Sequence, residues 1–267
     1  MRPRRVELPQ DKSYSDLNAA RLPVPPQPLN FILAIIRYFH KYQYMLKTNY
    51  KNIEKSIETI ISNEIIDYET AINFMEKRVN SVINNENSDL LWLLFHPSIY
   101  TYGSTSNKND FLKTPEIPVI KTNRGGQITY HGPGQRVAYF IINLKHQRKD
   151  IKYFISKIED IAIETLLEFD VNCKSNSDRI GIWATAINNI KLKKEKKIGS
   201  IGIRIRKWVS YHGLSININP DLDFFKKINP CGIKDYEATS LKELGVDIKV
   251  SEFDKVFIKK FVQKFKY

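Results

Sequence analysis

The stretch RGGQITYHGPGQ, Arg124 to Gln135, packs four glycines into twelve residues of a 267-residue chain that holds eleven. Glycine admits positive φ and lets backbone approach a ligand closely, so clustering of this kind marks a constrained loop. Four more glycines fall in KIGSIG (Gly199, Gly202), HGLS (Gly213) and PCGI (Gly232), so eight of the eleven lie in four short motifs. Any one of them reads as a turn. Together they read as elements that converge and line one pocket with backbone N–H donors.

Outward from this loop, Gln127 to His131 and Val137 to Leu144 read as strands flanking the HGPG turn. Upstream, Asp67 caps a predicted helix that carries Ala71, Phe74, Met75, Val79, Val82 and Ile83 on one face and ends at Asn84-Asn85. Leu90 to Phe95 (LLWLLF) is a continuous apolar run and reads as a buried strand. Downstream, Asp150 caps a second helix with Ile151, Phe154, Ile155, Ile158, Ile161, Ala162 and Leu166 expected inward. Ile180 to Ile190 and Ile198 to Ile205 read as strands separated by the exposed lysine run KLKKEKK, with an extended hairpin around Asn188-Asn189. Val209 to Ile218 is a further strand, and Ser251 and Glu252 open a last helix with Phe253, Val256, Phe257, Phe261 and Phe265. Strands and helices mix without strict βαβ alternation. The expected class is therefore α/β in the broad sense, an α+β mixed sheet with packed helices, rather than a doubly wound parallel sheet.

Residues 1–50 differ from the rest. A basic start, MRPRR, leads to PVPPQP at 23–28 and an aromatic patch from Phe31 to Tyr50. We read 1–50 as an N-terminal extension and 51–267 as one catalytic domain, with Met45 an alternative start. MRPRR has the flavour of an organelle-targeting arm, which the early acidic residues weaken. No segment approaches the ~20 apolar residues of a membrane span, and the early run Phe31 to Ile36 lacks a secretory cleavage pattern. A soluble, cytoplasmic protein is expected, without a membrane partner.

Net charge is +13, which asks for an acidic partner. Nucleic acid is one reading, but the basic residues are scattered and carry no zinc-finger, basic-helix or RNA-binding signature. An acidic protein would profit equally from electrostatic steering. Mononucleotide and dinucleotide fingerprints, GxxxxGK[ST] and GxGxxG, are absent. His40, His96, His131, His146 and His212 lack metal-ligand spacing, and no GxSxG elbow occurs.

What remains is a thiol. Cys231 sits between Pro230 and Gly232, whereas Cys173, in NCKSNSD, has no motif around it. A lone cysteine is ordinarily a buried small hydrophobe. A reactive one needs thiolate, and a free thiol with pKa ~8.5 is little ionised at neutral pH unless a cation lowers it. Lys197, at the head of the glycine-containing strand, is the candidate cation; Lys196 beside it reads as solvated. Spacing alone does not pair Lys197 with Cys231.

RGGQITYHGPGQ, KIGSIGIRI, SYHGLSINI and INPCGI, in this order and spacing, resemble the octanoyltransferases of lipoate biosynthesis. The likeness runs from about Ser56 to the C-terminus and includes DYETAINFMEKRV in the first helix. It implies a catalytic domain of the biotin/lipoate protein ligase type. Cys231 would carry an octanoyl group as a thioester, with Lys197 its acid/base partner. The substrate-lining positions would be Arg124, Gly125, Gly126, Gln127, Ile128, Thr129, Tyr130 and His131, then Ser200, Ile201 and Gly202, then Gly213, Leu214 and Ser215. It implies no cofactor, no ATP and no metal. The donor would be octanoyl-acyl carrier protein, and the acceptors lipoyl domains of 2-oxoacid dehydrogenase complexes and the glycine cleavage H protein. A monomer is expected, with no nucleic acid bound.

Within that reading, Arg124 anchors the glycine turn, His131 and Thr129 position the thioester end, and Ile128 and Leu214 line the acyl slot. His212 is expected to be a satisfied structural histidine. Arg136 stands where an aliphatic residue is usual, which places it at the pocket's rim or in solvent. The rival readings are an ATP-dependent lipoate or biotin ligase of the same fold, and a basic nucleic-acid-binding module. A ligase needs a glycine-arginine phosphate loop and no cysteine at the PCG position.

Overall fold

Asp67 accepts a hydrogen bond from the Thr70 amide at 3.0 Å and so starts α1 (Tyr68–Ile83). Asp150 does the same for α2 (Ile151–Leu167) through Tyr153 N. The last helix, α3 (Val250–Phe265), begins one residue earlier than its sequence signal. Glu252 accepts from the Lys249 amide at 3.2 Å, which moves the cap to Lys249. The computed structural model describes residues 50–52, 55–104, 106, 111–112, 114–176, 179–229 and 237–266, with side chains from Ile57 onward. The extension up to Asn49, with Met45 and His40, and Cys231 with its flanking motif lie outside the described residues.

Between the helices run β1 (Tyr50–Asn52), β2 (Lys55–Ile65), β3 (Asp89–Phe95), β4 (Ile99–Tyr102), β5 (Val119–Lys121), β6 (Thr129–His131) and β7 (Gln135–Ile141). After α2 come β8 (Val171–Lys174), β9 (Ile182–Ile187), β10 (Ile190–Arg206) and β11 (Val209–Asn217). Eight strands form one sheet in the order β1-β2-β3-β7-β11-β10-β9-β8, and β5-β4-β6 form a second. Every pairing in the large sheet is antiparallel except β2 with β3. The mixed sheet matches the expectation.

Alternation along each strand divides the residues between two faces. Leu91, Leu93, Ala138, Phe140, Leu214 and Ile216 meet Phe154, Ile158 and Ile161 of α2 and Phe253, Phe257 and Phe261 of α3 in one apolar core. Ile151, expected inward with them, is 42% exposed and drops out of that set. On the opposite face Trp92 and its cross-strand partner Tyr139 turn toward α1, where Phe74 packs edge-on against Trp92. Among the described residues no helix is long and apolar enough to cross a membrane.

Two further expectations change. The lysine run does not separate two strands: β10 continues through it from Ile190 to Arg206, and the Asn188-Asn189 turn (φ 49° and 61°) joins it to β9 as a tight hairpin. Arg136 lies neither at a rim nor in solvent. It is 1% exposed, and its Nε and Nη2 donate to Asp254 of α3 at 2.9 and 2.7 Å. Nη1 bonds Ser62 O, and the guanidinium lies 4.6 Å from the Phe95 ring. Position 136 alternates with the cavity-facing Val137 and therefore points into the α2–α3 layer.

Candidate active site

The glycine motifs are brought together by strand register. Gly202 of β10 faces Gly213 of β11, and Ser200 faces Ser215, so two small-residue pairs form a floor without side-chain bulk. At Gly213 a Cβ would overlap the Ala138 carbonyl of β7, so only glycine permits this approach of three strands. The Arg124–Gly126 loop lies across β10, with Gly125 N donating to Ile203 O at 3.2 Å.

Between floor and loop is a cavity of about 670 Å³. Of the fourteen residues expected to contact substrate, thirteen line it: Arg124 to Thr129, His131, Ser200 to Gly202 and Gly213 to Ser215. Tyr130 does not. Its ring stacks on Phe224 at 4.7 Å, within an aromatic cluster with Tyr100 and Phe225 beneath β6. Alternation about Thr129 and His131 turns it there. The Gly132–Gly134 turn that follows also lies outside the cavity lining; Gly134 O accepts the amides of Ile218 and Asn219 and ties the β6–β7 turn to the end of β11.

Lys197 enters the same cavity and is 5% exposed. Its Nζ is 5.8 Å from the Trp183 ring centre, and the Arg179 guanidinium is 4.3 Å from that ring. Beneath it is Gly181, with φ 141°; a Cβ there would overlap Lys197 Cε and come within 2.8 Å of Gly199 O. The Lys197 amide donates to Glu237 O at 2.8 Å and its carbonyl accepts from Thr239 N at 2.9 Å. The chain just downstream of the PCGI motif is thereby held beside Lys197. Lys196 instead points outward to Glu237 and Glu243.

Arg124 is 6% exposed, and its guanidinium donates to neutral acceptors: Thr101 O at 2.7 Å, Thr101 Oγ1 and Gly125 O. Burial lowers its pKa, yet guanidinium stays protonated, so the loop carries a buried cation. His96 donates from Nδ1 to Ile66 O at 2.8 Å, so its Nε2 accepts the Tyr139 hydroxyl at 2.7 Å. His131 Nδ1 donates to Gln135 Oε1 at 2.7 Å, while Gln135 Nε2 donates to Tyr130 O and Asn217 Oδ1. His212, at φ 60° in the middle of β11, turns its ring into the cavity, where Nε2 donates to Asn123 Oδ1 at 3.1 Å. Its Nδ1 has no hydrogen-bond partner among the described residues, so the expected satisfied histidine is corrected. Burial dominates every titration here. It pushes His96 down to about 4 and His212 to about 3, and holds His131 well below its ordinary value. It lifts the Tyr68 phenol to about 12, against the opposing pull of Arg124, and holds Tyr139 well above its ordinary value. Around Arg124 the walls are polar and neutral.

Tyr68, Tyr139, Asn123 and Arg179 also line the cavity, and none of them was singled out from the sequence. Tyr68 and Tyr139 sit in ordinary helix and strand patterns. Arg179-Ile-Gly-Ile-Trp183 offered a signal, a glycine between a cation and an aromatic. Cys173 is away from this lining, and burial pushes its thiol up to about 12, which makes it inert.

The fold and this cavity define a class. The family model of the lipoyl protein ligase A/B catalytic domain matches residues 67–262, and the chain belongs to that family. Within it, an octanoyltransferase of Ehrlichia canis is 45% identical over 210 residues, covering 78% of this chain and 96% of the relative. An octanoyltransferase of Bartonella bacilliformis is 42% identical, covering 78% and 88%. Among solved structures, the bipartite lipoate protein ligase of Thermoplasma acidophilum aligns with a TM-score of 0.59 at 12% identity, covering 80% of this chain and 85% of that one. Lipoate-protein ligase A bound with ATP aligns at 0.57 and 13%, covering 77% and 85%. These last two establish the shared fold.

Proposed function

We propose that this chain transfers an octanoyl group from octanoyl-acyl carrier protein to the lysine of a lipoyl domain, by way of a thioester on Cys231. The observation that carries the reading is a buried lysine, Lys197, opening into the same cavity as three of the glycine motifs. Relatives named octanoyltransferase across four-fifths of the chain support it, as does the sequence position of Cys231, six residues before Glu237.

Lys197 takes the thiol proton, and the Cys231 thiolate attacks the thioester carbonyl of the donor. The carrier thiolate departs with a proton from the Lys197 ammonium. In the second half, the acceptor amine attacks the Cys231 thioester and gives a proton to the now neutral Lys197; the Cys231 thiolate leaves, restoring the starting pair. Backbone N–H groups of the glycine motifs hold the oxyanion of each tetrahedral intermediate. No ATP is consumed. The net positive charge favours encounter with an acidic carrier protein.

Intact mass of the full chain after mixing with octanoyl carrier protein, without ATP, tests this. A hydroxylamine-labile octanoyl adduct is expected on the wild type and not on Cys231→Ser. Transfer that appears only with ATP would move the chain to the ligase branch.

A further inference from the structure

Much of the positive charge is answered on the spot. In the lysine run of β10, Lys194 and Lys196 reach Glu237, and Lys196 also reaches Glu243. Beside it Lys174 and Arg179 both meet Glu195. On α3, Lys260 pairs with Glu168, and Lys264 with Asp160 and Glu164. Cations paired in this way leave little field for a partner.

One rim of the cavity is different. The β7–α2 loop and the start of α2, residues 144–152, adjoin the β10–β11 turn, residues 204–208, where Leu144 N donates to Trp208 O at 2.8 Å. These two segments hold seven basic residues and one acid, Asp150, which Arg148 and the cap of α2 already occupy. Arg206 is drawn to Glu76 O and Asn80 of α1, and Arg204 donates to Asn123 O. Lys145, Lys149, Lys152 and Lys207 are exposed and have no ion-pair partner among the described residues. Among these charges Ile151, Tyr153 and Trp208 also stand exposed. Ile151 and Arg204 line the cavity together with Ile155 and Ile205, so the patch runs without a break into the site.

Resting on the transferase reading above, we infer that this rim is where the acidic donor carrier protein docks. Carboxylates of the carrier pair with the unanswered lysines and steer its approach. Tyr153, Trp208 and Ile151 supply the apolar and aromatic contact that anchors an interface. The carrier's thioester arm then enters the cavity past Ile151 and Arg204. A nucleic-acid backbone would meet the cations but gain nothing from the isoleucines that lead inward, whereas an acidic protein with an acyl arm uses both.

The test compares two donors on the full chain, octanoyl carrier protein and octanoyl-pantetheine, a thioester with no protein attached, and reads adduct formation by intact mass. Lys149→Glu with Lys152→Glu reverses two exposed charges and suits the first turn of a helix. At low ionic strength this variant should form the adduct from carrier protein about tenfold more slowly or worse, and salt should close the gap. Its rate with octanoyl-pantetheine should match the wild type. Trp208→Asn, which tolerates the left-handed turn, should slow the carrier reaction alone, and by a factor that salt does not remove. Equal losses with both donors would mean that the rim serves the site and not docking, which overturns the inference. So would a loss confined to transfer from the preformed adduct to a lipoyl domain, which would give the rim to the acceptor. Carrier rates that stay at the wild-type value overturn it too, and loss of duplex-DNA binding in the same variant would assign the rim to nucleic acid. A wild type that forms no adduct with either donor sinks the transferase reading and this inference with it.

Discussion

Among the described residues two arginines are deeply buried, Arg136 on one face of the sheet and Arg124 on the loop that covers the other, and the two are treated differently. Arg136, on the α2–α3 face, meets the Asp254 carboxylate in a bidentate pair, so its charge is compensated within that layer. Arg124, on the cavity face, is held by backbone carbonyls and a threonine hydroxyl, and the groups around it are histidines and tyrosines kept neutral by burial. A layer built only to pack closes its polar accounts within the protein. A layer that keeps a buried cation among neutral groups, at the wall of a cavity, is arranged for something that arrives from outside.

The largest expected effect lies on the cavity face. Lys197→Met should lower single-turnover octanoyl transfer by roughly 10²–10⁴, the usual contribution of a positioned acid/base. Retention of a tenth of the wild-type rate would remove Lys197 from the chemistry. On the packing face the effect should be on stability. Asp254→Ala strands a buried guanidinium and should cost about 3–5 kcal/mol by urea unfolding, whereas Arg136→Met with Asp254→Leu should recover most of it. An equal loss in the single and double variants would mean that α3 packing, and not charge pairing, is what the substitution damages.

Acid should separate the faces next. A histidine whose folded pKa lies below the unfolded value of about 6.5 leaves the unfolded chain with more bound protons between those values, so stability falls as pH drops through that window. His96, depressed to about 4, and His212, to about 3, both act this way, and His131 has the same sign. Each should take about 1.4 kcal/mol per pH unit at full effect. Asp254, raised by burial, works in the opposite direction. Urea midpoints that stay level from pH 6.5 to 5 would contradict the burial of the cavity face. The smallest expected effect is at Gly181. Its alanine variant should displace Lys197 and slow transfer about tenfold, a loss of ~1.4 kcal/mol in transition-state stabilisation. If unfolding were as sensitive as transfer, Gly181 would serve the fold instead of the lysine.

The three helices were legible because their caps and apolar spacing are local signals, as were β3 and the Asn188-Asn189 hairpin. β4, β5 and β8 were not, since three- or four-residue strands take their identity from neighbours distant in sequence. The lysine run misled for a related reason: polar residues suit a strand exposed to solvent, and the first part of β10, Ile190 to Glu195, largely is. At the cavity, three glycine motifs and Lys197 could be singled out from glycine placement and a charge run. Tyr130 was misplaced because proximity to a motif does not override alternation. His212 was misjudged because a left-handed residue in mid-strand leaves no mark on the sequence pattern, and its inverted side chain exists only in three dimensions.

The Arg136–Asp254 pair spans 118 positions, and its acid sits on the last helix. During synthesis the arginine is made long before its counter-ion. A chain cut short before Val250 is therefore left with more than a missing helix: it holds a cation without its carboxylate on a sheet face that α2 alone covers in part. Such a product cannot settle into a native-like core, and its exposed phenylalanine-binding surface marks it for proteolysis or chaperone capture.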